Sequence, residues 1–466
     1  MSGGRTAAQT IAGFAAALTT EDVPEPVQRS AILHLLDGFG CAIAAHRAKA
    51  VWFAVDAALK DPEPEQATVI GEGRRVATTA AAMANGALVH ALDFDDTHEE
   101  ALVHATAAVL PAAFAVGEER HASGAQVLAA VIAGYETVIR LGAAVPHGFH
   151  RRGLHATSVC GVFAAAVAAS KLLGSHADQI ANALGIAGSM SAGSLEFLNA
   201  GSATKQLHPG LSAMNGIVAA RLAFEGAEGP ATVFEGEHGL YRTLAGVRVD
   251  PAALTRGLGE TWETARIAIK PYPACQLSHA AFDALRQVED LDPDAIERFV
   301  IEVPASSLPI VCEPREIKSA PRNAYDAKFS LPWSAAALVI DGRLDLRTYQ
   351  DVSRPDVKAL AARIECVGVA YDGAPARAPA EVEITVRSGR VIRRSVTPGG
   401  TLDEAALMTK LRDNCGPLDA EALAAAVLAL PASPTLKELA SALDLRGGQR
   451  QHRRREGLRV ERSAVV

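Results

Sequence analysis

Long alanine-rich apolar segments are the feature that most limits the folds open to this chain. Hydrophobic residues make up 49% of its 466 residues but aromatic residues only 5%, and alanine fills many of the apolar positions. Alanine has the highest helix propensity of the amino acids, and its small side chain lets neighbouring helices approach closely. The sequence therefore predicts a mainly α-helical protein, and its length predicts two or three domains.

The charge and the cysteines exclude several classes of function. A net charge of -8 argues against nucleic acid as a partner, so any anionic substrate needs a local cationic pocket. The six cysteines are scattered and form no C-x-x-C pair, which argues against a zinc site or an iron–sulfur cluster. A dinucleotide-binding glycine pattern and a G-x-S-x-G motif are also absent from the sequence. We therefore expect no cofactor and no metal.

The sequence also bears on the compartment. Its first residues lack the basic-then-apolar pattern of a secretory signal. The most apolar windows, 101–117 and 127–145, are interrupted by histidine, proline or charged residues and do not resemble membrane spans. We expect a cytoplasmic, soluble protein with reduced thiols and no membrane partner.

Helical periodicity dominates the chain to about residue 260 and returns after residue 401. Between these parts, alternating patterns predict strands at 265–269, 298–303, 363–371, 380–386 and 391–396. The predicted fold is a large all-helical domain, discontinuous in sequence (residues 1–267 and 401–445), with an inserted smaller α+β lid domain (residues 268–400). Residues 446–466 form a basic segment without periodicity, which we expect to be disordered.

A cluster of polar residues, DFDDTH at positions 93–98, interrupts two apolar helical patterns, and we call it the acidic knot. Burying carboxylates costs several kcal/mol each unless they are paired, so the knot is expected at a helix end facing a cleft. Titratable groups in such clefts acquire shifted pKa values and do chemistry. We expect Asp95 and Asp96 to cap or pair, and Asp93, Thr97 and the following His104 to face the cleft.

Three other segments place cationic or imidazole groups beside glycine-rich or rigid turns. They carry His155, Lys205 with His208, and Lys270 in the sequence KPYPAC. Turns of small residues let a ligand approach the backbone closely. Each residue alone could be an ordinary surface or core residue, but together with the knot they suit a polycarboxylate substrate. The cations would neutralise carboxylates while a histidine or aspartate moves a proton at the adjacent carbon.

With these motifs in view, the sequence resembles the MmgE/PrpD family. The resemblance runs from about residue 37 to 342, and its carrying segments are NGALVHALDFDDTH, GYETVIRLG, RGLHATSVCGVFAAAVAASKLLG, ALGIAGS, TKQLHPG, KPYPACQLSHAAFDAL and AKFSLPWSAAALVIDG. It implies a discontinuous helical domain, a smaller α+β lid, a homodimer and a metal-free active site between the domains. The family's site positions fall on Asp93, Thr97, His104, His155, Lys205 and Lys270.

The resemblance implies a cofactor-independent lyase of the hydratase/dehydratase type, acting on a small di- or tricarboxylic acid such as a methylcitrate-like compound. Lys205 and Lys270 would bind carboxylates and stabilise the charge that develops when the neighbouring carbon loses its proton. His104 and His155 are the candidates for base and acid. Asp93 would orient a histidine or hold a substrate hydroxyl. An isomerase or epimerase, a decarboxylase of cis-aconitate-like acids and a non-catalytic carboxylate-binding protein are the alternatives.

The chain also departs from the family. Alanine follows both His104 and His155, where the family often has proline. Cys275 and Trp333 align with a histidine and a tyrosine of the decarboxylase members, which favours dehydration over decarboxylation. We include Cys275, Trp333 and His208 as further candidates for contact with the substrate.

Overall fold

The computed structural model describes residues 4–60, 63–398, 402–416 and 418–446. Helices account for 58% of it, and the sheets are small, so the prediction of a mainly α fold with a smaller α+β part is confirmed. The predicted basic segment, apart from Arg446, lies outside the described residues.

The first half of the chain is almost entirely helical. Its helices are Ala7–Ala17 (α1), Glu25–Arg47 (α2), Trp52–Lys60 (α3), Thr78–His90 (α4), Ala105–Glu119 (α5), Gly124–Ala143 (α6), Gly148–Arg151 (α7), Ala156–Leu173 (α8), Ala177–Ala187 (α9), Phe197–Ala200 (α10), His208–Phe224 (α11) and Pro251–Thr255 (α12). A short antiparallel pair, Ala67–Val69 (β1) and Arg74–Val76 (β2), precedes α4.

The second half mixes helices and strands before a helical return. Its helices are His279–Arg286 (α13), Leu308–Val311 (α14), Arg315–Ser319 (α15), Ala324–Ala327 (α16), Leu331–Asp341 (α17), Pro355–Ala361 (α18), Glu404–Cys415 (α19), Ala420–Leu428 (α20) and Lys437–Ala442 (α21). The strands are Ile296–Pro304 (β3), Ile364–Val369 (β4), Ala380–Val386 (β5) and Val391–Val396 (β6). They form one sheet in the order β4-β3-β5-β6, in which β3 and β4 run parallel and the other pairs antiparallel.

Two separate hydrophobic cores divide this structure. The larger core takes residues from 7 to 269 and again from 407 to 445, and the smaller core takes residues from 272 to 392. The helical return therefore packs on the helices of the first half, although the α+β part lies between them in sequence. The predicted domain boundaries remain a prediction, and the division of the residues between the two hydrophobic cores supports it.

Close helix contact positions the two elements that frame the site. A Cβ on Gly86 in α4 would lie 2.6 Å from the Cα of Gly210 in α11, and a Cβ on Gly210 would overlap the carbonyl oxygen of Met83. Only glycine at both positions lets the two backbones approach this closely. As a result, the end of α4, which leads into the acidic knot, lies near the start of α11.

The strand predicted at 265–269 is wrong. Residues Glu263–Arg266 form a 3-10 turn, and only Ala268 pairs like a strand, through two backbone hydrogen bonds with Thr97 of the acidic knot, both 2.9 Å. Ala265 and Arg266 are exposed, whereas residues 267–269 are all buried, so this extended crossing segment does not alternate in burial as a strand of a half-buried sheet would. This isolated β-bridge connects the acidic knot to the segment that leads into KPYPAC.

Two helices, α6 and α8, are long and apolar enough to cross a membrane by length and composition. In each of them, 89% of the apolar window is buried inside the protein. Central helices of a folded core show the same pattern, so these helices are weak evidence for a membrane.

Candidate active site

A cavity lies where the two cores meet, and most of the predicted site residues line it. The enclosed space is about 70 Å³, smaller than most small-molecule sites, so the cavity is a tight one. The titratable residues that line it are Asp93, His104, His150, His155, Lys205, Lys270 and Cys275. Thr97 and Gln276 add polar groups, and Leu102, Leu195, Phe197, Leu198, Leu277, Ile310 and Phe329 form its apolar wall.

Asp93 joins the two predicted lysines. Its Oδ1 lies 2.6 Å from Nζ of Lys205, and its Oδ2 lies 3.3 Å from Nζ of Lys270. All three residues are at least 95% buried. Burial alone would raise the pKa of Asp93, but the two lysines outweigh it and hold that pKa well below 3.8. One carboxylate faces two ammonium groups, so the cluster keeps one positive charge for an anionic ligand.

The other two carboxylates of the knot are structural, as the sequence predicted. Asp96 accepts a hydrogen bond from the backbone N–H of Thr106 in the first turn of α5 and contacts Nδ1 of His34 at 3.0 Å. Asp95 lies 2.8 Å from Nδ1 of His90. Burial raises the pKa of Asp95. These pairs fix the shape of the knot and leave Asp93 facing the cavity.

His104 is held in a defined tautomer. It precedes α5, and its Nδ1 lies 2.8 Å from the carbonyl oxygen of Asp96 and 3.2 Å from Oγ1 of Thr97. A carbonyl oxygen can only accept, so Nδ1 carries the proton and Nε2 keeps a lone pair. Burial lowers the pKa of His104 well below 6.5. His104 is therefore a neutral imidazole near pH 7, able to take a proton at Nε2.

His155 occupies the equivalent position at the start of α8. Its backbone N–H donates to the carbonyl oxygen of Gly193 at 2.8 Å, and its Nδ1 lies 3.2 Å from Nδ1 of His208. Burial, together with the charge of Lys205, lowers the pKa of His155 well below 6.5 and that of His208 to about 4. His208 does not line the cavity itself but supports His155 from behind.

The KPYPAC segment supplies the other side of the cavity. Lys270 is 1% exposed, and its Nζ also donates to the carbonyl oxygen of Asp93 at 3.1 Å. Its own carbonyl oxygen accepts a hydrogen bond from Lys410 of α19, which also bonds to Phe94. Cys275 lines the cavity, and burial raises its thiol pKa, so it is a neutral thiol.

Trp333 is the predicted site residue that the structure does not bring to the cavity. It is fully buried in the smaller core, with its ring 5.8 Å from that of Tyr349, and is not among the described residues that line the site. Its position on α17 points it into the packing between that helix and its neighbours. Trp333 is therefore placed to support the lid, and its predicted contact with substrate has no support here.

Two histidines that the sequence analysis did not select belong to this site. His150 lines the cavity, and burial, followed by His147 and Lys205, lowers its pKa to about 3. His90, the last residue of α4, is completely buried with its ring 4.5 Å from that of His104. Its position just before the acidic knot could have indicated a place in the site. Helical periodicity, however, predicts that a residue at this position belongs to the apolar face of the helix.

Taken together, the cavity combines a net positive lysine–aspartate cluster with neutral imidazoles in a largely apolar wall. The lysines can hold carboxylates, and a neutral imidazole can move a proton next to them. The fold and the site thus define a class: a mainly helical protein with a cavity lined by lysines and imidazoles between a helical core and a smaller α+β core.

The chain belongs to the MmgE/PrpD family. Residues 9–250 match the MmgE/PrpD N-terminal domain, and residues 272–430 match the MmgE/PrpD C-terminal domain. The gap between the two matches, residues 251–271, contains the boundary between the two hydrophobic cores, which falls at the start of KPYPAC. The resemblance inferred from the sequence motifs is confirmed.

Several relatives within this family are named cis-aconitate decarboxylases. The protein of Aspergillus terreus is 34% identical over 300 residues, which is 62% of this chain and 61% of that protein. The human protein is 31% identical over 309 residues, 62% of each chain. The mouse protein is 30% identical over 314 residues, 62% of this chain and 61% of its own. The aligned regions span less than two thirds of these relatives.

Proposed function

We propose that this protein is a cofactor-independent lyase acting on a small di- or tricarboxylic acid. The observation that carries the proposal is the pairing of Asp93 with Lys205 and Lys270, which leaves one buried positive charge in the cavity. A substrate carboxylate entering this cluster would complete its charge balance. Family membership and the decarboxylase relatives support the lyase class.

The proton transfer is assigned to His104. Its Nε2 lies 4.0 Å from Oδ1 of Asp93, the carboxylate that contacts both lysines. A substrate carboxylate bound by these lysines would therefore place its neighbouring carbon close to Nε2 of His104. As the proton leaves that carbon, negative charge spreads onto the carboxylate oxygens. Lys205 and Lys270 then stabilise this charge, which is the largest catalytic contribution we expect. His155 is the second proton-transfer candidate.

Two reactions share this first half. Dehydration is our primary proposal, because Cys275, a neutral thiol, stands where the resemblance places a histidine in the decarboxylase members. Decarboxylation of a cis-aconitate-like acid is the second candidate, and the relatives at 30–34% identity favour it. A homodimer, which the family implies, and a cytoplasmic location, which the sequence pattern favours, are further proposals.

The test is to incubate the protein with citrate, 2-methylcitrate and cis-aconitate and to follow two products. Dehydration gives a conjugated double bond, measured by ultraviolet absorbance, whereas decarboxylation releases carbon dioxide. In deuterated water, an isomerase would add deuterium to the substrate without loss of water. Whichever reaction occurs, His155→Ala and Lys205→Ala should each lower kcat/KM by 10²-fold or more, on the order expected for acid–base and charge-stabilising groups.

Lys60→Ala is the matched control, since this lysine lies exposed at the end of α3. All variants should keep the far-ultraviolet circular dichroism of the wild type. Near-full activity of both site variants would show that the site is misassigned. Failure of the wild type to bind or convert any of the acids would remove the proposed substrate class.

A further inference from the structure

Two residues of the smaller core form part of the apolar wall of the cavity. Ile310 lies in α14, Phe329 lies between α16 and α17, and both line the cavity. The ring centroid of Phe329 is 5.3 Å from Nζ of Lys205. This part of the wall is therefore next to the lysine–aspartate cluster, where a substrate carboxylate would bind.

Lys318 of α15 connects the two segments that carry these wall residues. Its Nζ donates hydrogen bonds to the carbonyl oxygens of Ile310 and Phe329, both at 2.7 Å. The hydroxyl of Ser330 donates to the carbonyl oxygen of Lys318 itself. Lys318 is not among the described residues that line the cavity, so it acts on the wall from behind.

The chemistry of this lysine fits such a role. Lys318 is 6% exposed, and no carboxylate among the described residues forms an ion pair with it. Burial lowers the pKa of its ammonium group, because a cation is costly to keep away from water. An ammonium group offers three donors and no acceptor, so it can hold two carbonyl oxygens at once. An apolar side chain of the same length would leave both carbonyls without this donor.

The cavity is tight, so the position of the wall decides which substituents fit. Its enclosed space is about 70 Å³, and in closely packed surroundings a change of a single methylene group is felt. A carboxylic acid bound by Lys205 and Lys270 would place the substituents of its neighbouring carbon within reach of Phe329. Phe329 and Ile310 can then contact an apolar substituent, provided that their backbones are held.

We propose that Lys318 is a positioning residue that determines substrate specificity, because it holds the wall that contacts an apolar substituent next to the bound carboxylate. This role rests on the proposed function, since the lysine–aspartate cluster has to bind a carboxylate for the wall to contact its neighbour. The substrate class is thereby narrowed to acids with a small apolar branch, such as a methyl group, on a carbon that carries a carboxylate. Without Lys318, the two segments lose their common anchor and the wall no longer favours such a branch.

The test measures binding by isothermal titration calorimetry, with two acids that lack a hydroxyl group and therefore cannot be dehydrated. Butane-1,2,3-tricarboxylate differs from propane-1,2,3-tricarboxylate by one methyl group on a carbon that carries a carboxylate. We expect the wild type to bind the methylated acid about 4-fold more tightly, the value of one buried group of this size. Lys318→Met removes both donors at similar side-chain length and should bring this ratio to about one. Lys318→Gln, which is shorter and can reach only one of the two carbonyls, should give an intermediate ratio.

Lys171→Met is the matched control. Lys171 also donates to a backbone carbonyl, that of Ala15 at 2.8 Å, but it lies outside the cavity. This variant should keep the wild-type ratio although the protein loses a comparable hydrogen bond. Circular dichroism identifies variants that do not fold, and Lys318→Gln carries the test if Lys318→Met is one of them.

The outcomes separate this role from the proposed function. If both acids bind and the ratio is the same in the wild type and in the Lys318 variants, the role of Lys318 is overturned while the carboxylate site stands. An equal loss of the preference in Lys171→Met would also overturn it, because the effect would then come from general destabilisation. If neither acid binds to the wild type, the proposed carboxylate site fails together with the role of Lys318.

Discussion

Replacing Asp93 by asparagine tests the charge cluster directly. The carboxylate lies 2.6 Å and 3.3 Å from two buried ammonium groups. At an effective dielectric constant of 20, these contacts correspond to gross attractions of about 6 and 5 kcal/mol. Much of this attraction offsets the desolvation of three buried charges. Removing one partner of a buried pair typically destabilises a protein by about 3–5 kcal/mol, and we expect Asp93→Asn to fall in that range.

The assay is urea unfolding at pH 7, followed by circular dichroism, with and without citrate. Asp93→Asn should lower the unfolding midpoint, and citrate should raise the midpoint of the variant more than that of the wild type. The reason is that a ligand carboxylate supplies the missing negative charge. The matched control is Glu404→Gln, which breaks an exposed ion pair with Arg29 and should change stability by about 1 kcal/mol or less.

The pH dependence gives a second check on the same variant. The pKa of Asp93 is depressed in the folded protein, so its stabilisation is fully present above the unfolded pKa near 3.8 and is lost as the pH falls through the lower folded value. The difference between wild type and Asp93→Asn should therefore persist from pH 7 to about 4 and shrink below that. Equal midpoints at pH 7 would refute the view that Asp93 holds the two lysines.

Two other expectations follow from the fold and the site. Gly210→Ala should destabilise the protein by about 1–3 kcal/mol and lower kcat, because its methyl group would overlap the Met83 carbonyl between α4 and α11. Gly13→Ala in α1, whose methyl group would meet only a side chain at 3.7 Å, should instead be neutral or stabilising. A lower urea-unfolding midpoint for Gly13→Ala than for Gly210→Ala would contradict this packing argument. In a pH profile of kcat/KM, activity should fall only below pH 6.5 as His104 becomes protonated, since burial depresses the pKa of this residue. If activity is already half-maximal on the acid side above pH 6.5, His104 is not the base.

The periodic parts of the fold were predictable from the sequence. Strands Ala380–Val386 and Val391–Val396 have the bounds that their alternating patterns predict. Helix α11 begins at His208, with Pro209 in its first turn, where proline is favourable. The short crossing segment at 265–269 was missed since alternation over five residues cannot distinguish a strand from a buried extended connection.

The site was predictable in its residue types but not in its pairing. Asp93, the two lysines and two histidines could be selected because polar residues in small-residue turns are unusual. The ion pairs that organise them join residues 112 and 177 positions apart, and the sequence contains no local signal for such contacts. His90 was missed for the opposite reason, because it lies in a strongly local pattern, the buried face of a helix.

The hydrogen bonds of Lys410 bear on the order in which this protein becomes functional. Its ammonium group bonds to Asp37 and to the carbonyl oxygens of Phe94 and Lys270, so α19, which follows both in sequence, holds the two segments that carry Asp93 and Lys270. During synthesis, residue 410 leaves the ribosome after nearly all the residues that it organises. The growing chain can thus form its first helices early, while the candidate site acquires its final geometry only when α19 docks.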